Sequence, residues 1–201
     1  MKNTARFLIR KAGFTLVELL IVIALIGVLA VAVLAAINPL EQLNRARDTG
    51  MESDASQLLA AIDRYYATQE KFPWVLAPVG TSTANNDAEF GFVSAKDAGV
   101  GICGDAGCTI DGALLGQYEL KSEFRNRKFI KATAEGDLLY VSKASGGSKS
   151  VYACWIPTSK AKRTQAVTEI STGSSIRGTC TPALVTDWTT LADACVICIP
   201  R

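Results

Sequence analysis

The feature that most constrains this chain is a run of 24 residues, Phe14 to Ile37, in which only Thr15 and Glu18 are clearly polar. As a helix rising 1.5 Å per residue, the run covers about 36 Å, enough to cross a hydrocarbon core of about 30 Å. Lys2, Arg6, Arg10 and Lys11 precede it without an acidic residue among them. Positive charge on that side, and none within the span, predicts a cytoplasmic N-terminus with everything after Ile37 outside.

At 201 residues the chain has room for one ordinary domain beside this extended element. Its formal net charge is +2. Removing the four basic residues at the N-terminus leaves 17 basic against 19 acidic residues, a body at minus 2. Such a body lacks the clustered positive field of a general nucleic-acid surface. There is no histidine, so acid-base chemistry by imidazole is excluded.

In an ordinary secretory signal the cleavage site follows the apolar segment and is marked by small residues. Here the order is inverted, because Gly13 stands before the apolar run in Lys11-Ala12-Gly13-Phe14-Thr15-Leu16-Val17-Glu18. That octet resembles the type III signal of type IV prepilins and pseudopilins, as does the Leu-Leu-Ile-Val-Ile-Ala-Leu-Ile-Gly-Val-Leu-Ala that follows. The close resemblance covers about residues 11 to 40. It implies cleavage between Gly13 and Phe14 and methylation of Phe14 by a membrane prepilin peptidase. It also implies an assembly platform protein and an ATPase as partners.

A carboxylate near the end of an apolar helix is costly unless it is paired or reaches the interface. The partner that the resemblance implies for Glu18 is the α-amino group created on Phe14 of a neighbouring subunit, so that Glu18 sets register during assembly. A plain single-span anchor with Glu18 at headgroup level is the competing reading. Gly27 and the Asn38-Pro39 pair are weak points of the helix, where a kink or local melting is expected.

Beyond Pro39, Leu40, Leu43, Ala55, Leu58, Leu59, Ile62, Tyr65 and Tyr66 recur at helical spacing between charged residues. The spacing predicts an amphipathic helix that continues the apolar one over residues 38–71 and stops before Pro73. Residues 72–112, rich in Gly, Ala, Asn, Ser and Asp, read as a long loop. Residues 113–201 read as a β-sheet head with strands at Tyr118 to Phe124, Lys128 to Ala132, Leu138 to Lys143 and Ser150 to Pro157. The fold class is therefore α+β, a long N-terminal helix packed against a small antiparallel sheet in a pilin-like lollipop, with a disulfide-stabilised C-terminal region.

All six cysteines, Cys103, Cys108, Cys154, Cys180, Cys195 and Cys198, lie in the part expected outside the cytoplasm, and an even number there reads as a disulfide framework. A local Cys103–Cys108 loop and a Cys154–Cys180 tie are suggested, among 15 connectivities. Cys195-x-x-Cys198 also admits a metal half-site or a redox centre, ranked below structural disulfides. No cofactor or metal is expected. Lys160, Lys162 and Arg163 form the densest basic run outside the leader, a candidate DNA contact if Trp155 or Tyr152 lies beside it, or simply a solvated turn.

The resemblance implies a non-enzymatic subunit that polymerises with identical and related subunits through its N-terminal helix, lipid being the partner before assembly. The product is an extracellular filament for adhesion, motility or DNA uptake, with DNA or a cell surface as its target. A pseudopilin of a type II secretion system is the nearest alternative, and a single-span exported binding protein or enzyme the alternative of another class. Pseudopilin heads often hold calcium in an acidic C-terminal loop, whereas this tail offers only the widely spaced Asp187 and Asp193.

Overall fold

The computed structural model of the protein describes residues 13–36, 38–170 and 177–200. The leader cations Lys2, Arg6, Arg10 and Lys11, and also Ile37, lie outside the described residues. The chain divides into two compact units, the boundary falling between Leu40 and Glu41.

The first unit holds the apolar helix α1, Leu16–Ala36. A second helix, α2, runs Pro39–Gln69, and Asn38 belongs to neither. The expected continuous helix is therefore two helices, for a reason that Pro39 supplies. Its ring blocks the carbonyl one turn back and it has no N–H to donate, so it is tolerated in the first turn of a helix and opens α2 instead of extending α1.

From Glu41 onward the fold is a small α+β body. Its main sheet has four antiparallel strands in the order β1-β2-β3-β6: β1 Phe90–Ser94, β2 Leu139–Lys143, β3 Val151–Trp155 and β6 Ile197–Ile199. Two further short strands, β4 Thr168–Ile170 and β5 Arg177–Thr179, pair with each other. Three single-turn helices, α3 Ala113–Gly116, α4 Lys128–Lys131 and α5 Lys160–Arg163, punctuate the connections.

The period of two along the strands sorts the core into two layers. Leu139, Val141, Ala153, Trp155 and Ile197 join Ala55, Leu58 and Ile62 of α2 in one buried cluster. Phe92, Tyr140, Cys154 and Cys198 face the opposite side, where Ile170, Leu191 and Val196 of the C-terminal segment cover them. Burial of each large apolar side chain contributes about 1.5–3 kcal/mol. Tyr66, Phe72, Trp74 and Phe90 stack successively with centroid separations of 4.6, 5.0 and 4.3 Å, tying the end of α2 to β1.

Two expected strands are absent. Tyr118 has φ of 60°, a left-handed backbone that no strand accommodates, and Glu119 and Leu120 both donate back to the Leu114 carbonyl. Residues Ser122–Asn126 then form a 3-10 turn, and Lys128–Lys131 is helical. Phe124 and Phe129 meet edge to face at 5.9 Å and are buried as turns rather than as strand residues. Conversely, the 72–112 segment expected to be all loop contains β1.

Lys143, at the end of β2, is fully buried. Its Nζ donates to the carbonyls of Asn86 at 2.7 Å, Ala144 at 3.2 Å and Gly146 at 2.7 Å. It also lies 5.5 Å from the Phe72 ring centroid. Burial pulls its pKa below the usual lysine value, with Asp87 opposing. This one ammonium joins the hairpin between β2 and β3 to the segment before β1.

All six cysteines are paired, as Cys103–Cys108, Cys154–Cys198 and Cys180–Cys195. The suggested Cys154–Cys180 tie is not formed, because β6 runs antiparallel to β3 and sets Cys198 directly opposite Cys154. A cross-link spanning 44 residues removes about 4 kcal/mol of denatured-state entropy at 25 °C, against about 2 kcal/mol for the five-residue span of Cys103–Cys108. The Cys154→Ser/Cys198→Ser double variant should accordingly lose about twice as much unfolding free energy in urea as the Cys103→Ser/Cys108→Ser variant.

Two carboxylates on the buried side of α2 have opposite stability signs. Asp48 is fully buried and accepts hydrogen bonds from Thr158 N–H at 2.8 Å, Ser159 N–H at 2.8 Å and the Ser159 hydroxyl at 2.6 Å. Asp54 is buried with Arg127 as its ion-pair partner among the described residues, 3.3 Å away, and desolvation raises its pKa. A raised folded-state value means that the stabilising protonated form is complete below the unfolded pKa of about 3.9 and lost as pH rises through the folded value. Asp48→Ala should cost about 3 kcal/mol by orphaning two buried donors. Asp54→Asn should raise the Tm at pH 7, and that advantage should vanish in melts taken below about pH 3.9.

Candidate assembly segment and head surface

Every residue from Leu16 to Leu34 is exposed in the isolated chain, a window with mean hydropathy 3.1. In the first turn of α1 the Thr15 N–H donates to Glu18 Oε2 at 2.8 Å, and the Thr15 hydroxyl donates to the same oxygen at 2.9 Å. The Glu18 N–H donates to Thr15 Oγ1 at 3.2 Å. This reciprocal arrangement is a capping box, which satisfies donors that a helix start otherwise leaves open. Thr15-Leu16-Val17-Glu18 ahead of an apolar run is its sequence signature, which the sequence reading passed over in favour of an intermolecular partner for Glu18.

Ahead of the cap, Phe14 is 87% exposed. Among the described residues, a Cβ added to Gly13 would meet nothing within 4 Å. No contact among the described residues therefore calls for glycine at position 13. The same holds for Gly27 within α1, where glycine costs about 1 kcal/mol relative to alanine.

In the body, the C-terminal Cys-x-x-Cys spacing is divided between two disulfides, since Cys195 pairs with Cys180 and Cys198 with Cys154. Neither sulfur is a free thiolate, so the spacing holds no metal half-site and no redox pair of its own. Among the described residues no group of three or more His, Cys, Asp or Glu is placed to hold a metal ion.

The basic run lies on α5, where Ser159 caps the turn by accepting from the Lys162 N–H. Its aromatic neighbour is neither residue expected. Trp155 is fully buried in the layer facing α2, and Tyr152 packs against the opposite layer. Trp188 occupies that place instead, with the Arg163 guanidinium 4.9 Å above its ring. Its distance in sequence from the run hid this contact.

A family model described as the prokaryotic N-terminal methylation motif matches residues 8–34. No curated protein and no solved structure matches the chain. The match covers the inverted glycine junction, the capped first turn and nearly all of the exposed apolar helix. Over that segment the chain carries the prepilin signal of type IV pilins and pseudopilins, with a membrane-anchored N-terminus.

Proposed function

We propose that the chain is the precursor of a non-enzymatic subunit of a type IV pilus-like filament, cut after Gly13, methylated on Phe14 and assembled through α1. The observation that carries the reading is the combination at the N-terminus. Gly13 meets no steric demand among the described residues, it lies within the matched methylation motif, and directly after it comes an apolar helix left exposed. In the membrane lipid covers that helix. In the filament, the same helices of neighbouring copies do so. Prepilin peptidase, a platform protein and an assembly ATPase are the partners that follow.

Glu18 has two successive roles in this account. In the precursor its carboxylate is held by Thr15. After the cut, the new Phe14 amine of an incoming subunit competes for that carboxylate, and a full ion pair in an apolar surrounding is stronger than bonds to the carboxylate from an uncharged N–H and hydroxyl. A pilus subunit is favoured over a pseudopilin because, among the described residues, the C-terminal carboxylates join no group of three or more acids such as a calcium loop needs, and each is engaged by a neighbouring threonine. Asp187 accepts from Thr189 N–H at 2.8 Å and from the Thr189 hydroxyl at 2.7 Å, and Asp193 accepts from the Thr190 hydroxyl at 2.9 Å.

The test separates insertion from assembly. A Glu18→Ala variant should fractionate with the membrane as the parent does, yet yield few or no sheared filaments when expressed with the assembly machinery. Filament yield equal to the parent's would remove the role given to Glu18.

A further inference from the structure

Tyr118 has no part in processing, and its side chain takes none in the packing of the body. It is 92% exposed, more than any other large apolar side chain among the described residues. The backbone that carries it is nonetheless fixed, and in the left-handed region. Gly116, Gln117 and Tyr118 donate their N–H groups to the carbonyls of Gly112, Ala113 and Leu115, and Glu119 and Leu120 donate to that of Leu114. A pinned turn thus holds an aromatic ring in water, in a conformation that is strained for any residue but glycine, and no contact among the described residues accounts for it.

Elsewhere on the body, Pro73, Ala77, Pro78, Val79 and Ile110 line a groove of about 390 Å³. Val79 and Ile110 are 53% and 62% exposed, so the groove is open and apolar. Its walls are preformed. The Cys103–Cys108 disulfide closes one loop, whose Gly104 N–H donates to the Ile110 carbonyl at 2.8 Å, and the Thr83 N–H donates to the Trp74 carbonyl at 2.9 Å in the other. Three carboxylates surround the apolar centre. Asp111 lines the groove itself, Asp97 lines a second groove beyond Val79 and Ala98, and Asp105 lies between Gly104 of the first and Ala106 of the second. The Thr109 hydroxyl at 2.6 Å and the Ile110 N–H at 3.1 Å hold the Asp105 carboxyl below the usual carboxylate range. From Asp97 to Asp111 the chain has these three acids and no Lys or Arg. An apolar centre inside a charged rim is the anatomy of a protein contact.

The residues that follow Tyr118 have the opposite sign. Residues 121–131 hold five cations, Lys121, Arg125, Arg127, Lys128 and Lys131, against one acid, Glu123. Phe124 and Phe129 are buried, and the cations are exposed apart from half-buried Arg125. Arg125, Arg127 and Lys128 pair within the chain with Asp111, Asp54 and Asp137. Among the described residues no ion pair involves Lys121 or Lys131. Each copy thus carries an exposed aromatic knob followed by uncompensated positive charge, and an apolar groove with a negative rim.

We propose that Tyr118 of one copy seats in the apolar groove of a second copy, with Lys121 facing the carboxylate rim, as a contact between heads in the filament. The proposal rests on assembly through α1, which holds like heads at high local concentration. Knob and groove are different patches, so the contact is heterologous and repeats along a filament without closing. Tyrosine suits it, since the ring fills an apolar groove while the hydroxyl reaches a polar rim.

The experiment places the photocrosslinker p-benzoylphenylalanine at position 118 of the full-length protein, and irradiates sheared filaments. Cross-linked dimers should appear, with position 118 joined to residues 73–79 or 104–113 of the other copy. Ile110→Glu, which sets a carboxylate in the groove, should abolish the dimer, and Lys121→Glu should lower its yield several-fold, each at unchanged Tm. Should Ile110→Glu lower the Tm, the exposed Lys121 decides the matter. Filaments that give no dimer, a cross-link elsewhere on the second copy or to another molecule, or a yield indifferent to Lys121→Glu would overturn the contact and leave assembly standing. Absence of filaments from the parent protein would instead contradict assembly through α1, and the contact with it.

Discussion

The uncovered apolar surface of α1 is the constraint from which the rest follows. Leu16 and Leu34, at its two ends, are 79% and 71% exposed, and no side chain between them is buried by the chain itself. Exposed to water, such a surface would cost on the order of 1.5–3 kcal/mol per large residue, so the helix exists only where something else covers it. Lipid and the helices of like subunits are chemically equivalent covers, so under the proposed assembly a subunit that moves from one to the other would exchange apolar neighbours at small net cost. The directional part of that exchange falls to polar groups, of which α1 has one, Glu18, already engaged by Thr15.

The body from Glu41 onward solves a separate problem. A four-stranded sheet with short strands buries too little by itself, so both of its faces are used. α2 covers one and the C-terminal segment the other. The segment has few regular elements, and its hold on the sheet comes from Cys154–Cys198 across adjacent strands and Cys180–Cys195 beside them. Asp48 fastens the α5 turn to α2 with hydrogen bonds rather than apolar contact.

Where the sequence was readable, a single periodicity or a single steric rule decided the outcome. The apolar span, the amphipathic α2 with its stop before Pro73, and the strands at Leu139–Lys143 and Val151–Trp155 are of this kind. Tyr118 to Phe124 was misread because aromatic and β-branched composition measures fitness for a half-buried surface, which the turns around Phe124 and Phe129 also provide. Strand β1 was missed because the Gly-, Asn- and Ser-rich residues around it read as one loop, and β6 because three residues at the chain end carry too little period. The pairing of Cys154 with Cys198 depends on β6, so it was hidden for the same reason. At the N-terminus the signal was read through its resemblance to the prepilin octet, which the matched motif supports, while the capping box went unnoticed because one residue, Glu18, had two sufficient explanations.

The account stands on the junction between Gly13 and Phe14, where a glycine inside the matched methylation motif precedes a helix whose described residues are exposed. Mass spectrometry of the N-terminal peptide from filaments sheared off the cell surface tests it directly. The account predicts a chain beginning at N-methylated Phe14, and an unprocessed precursor when Gly13 is replaced by valine. Filament subunits that begin at Met1 would contradict it.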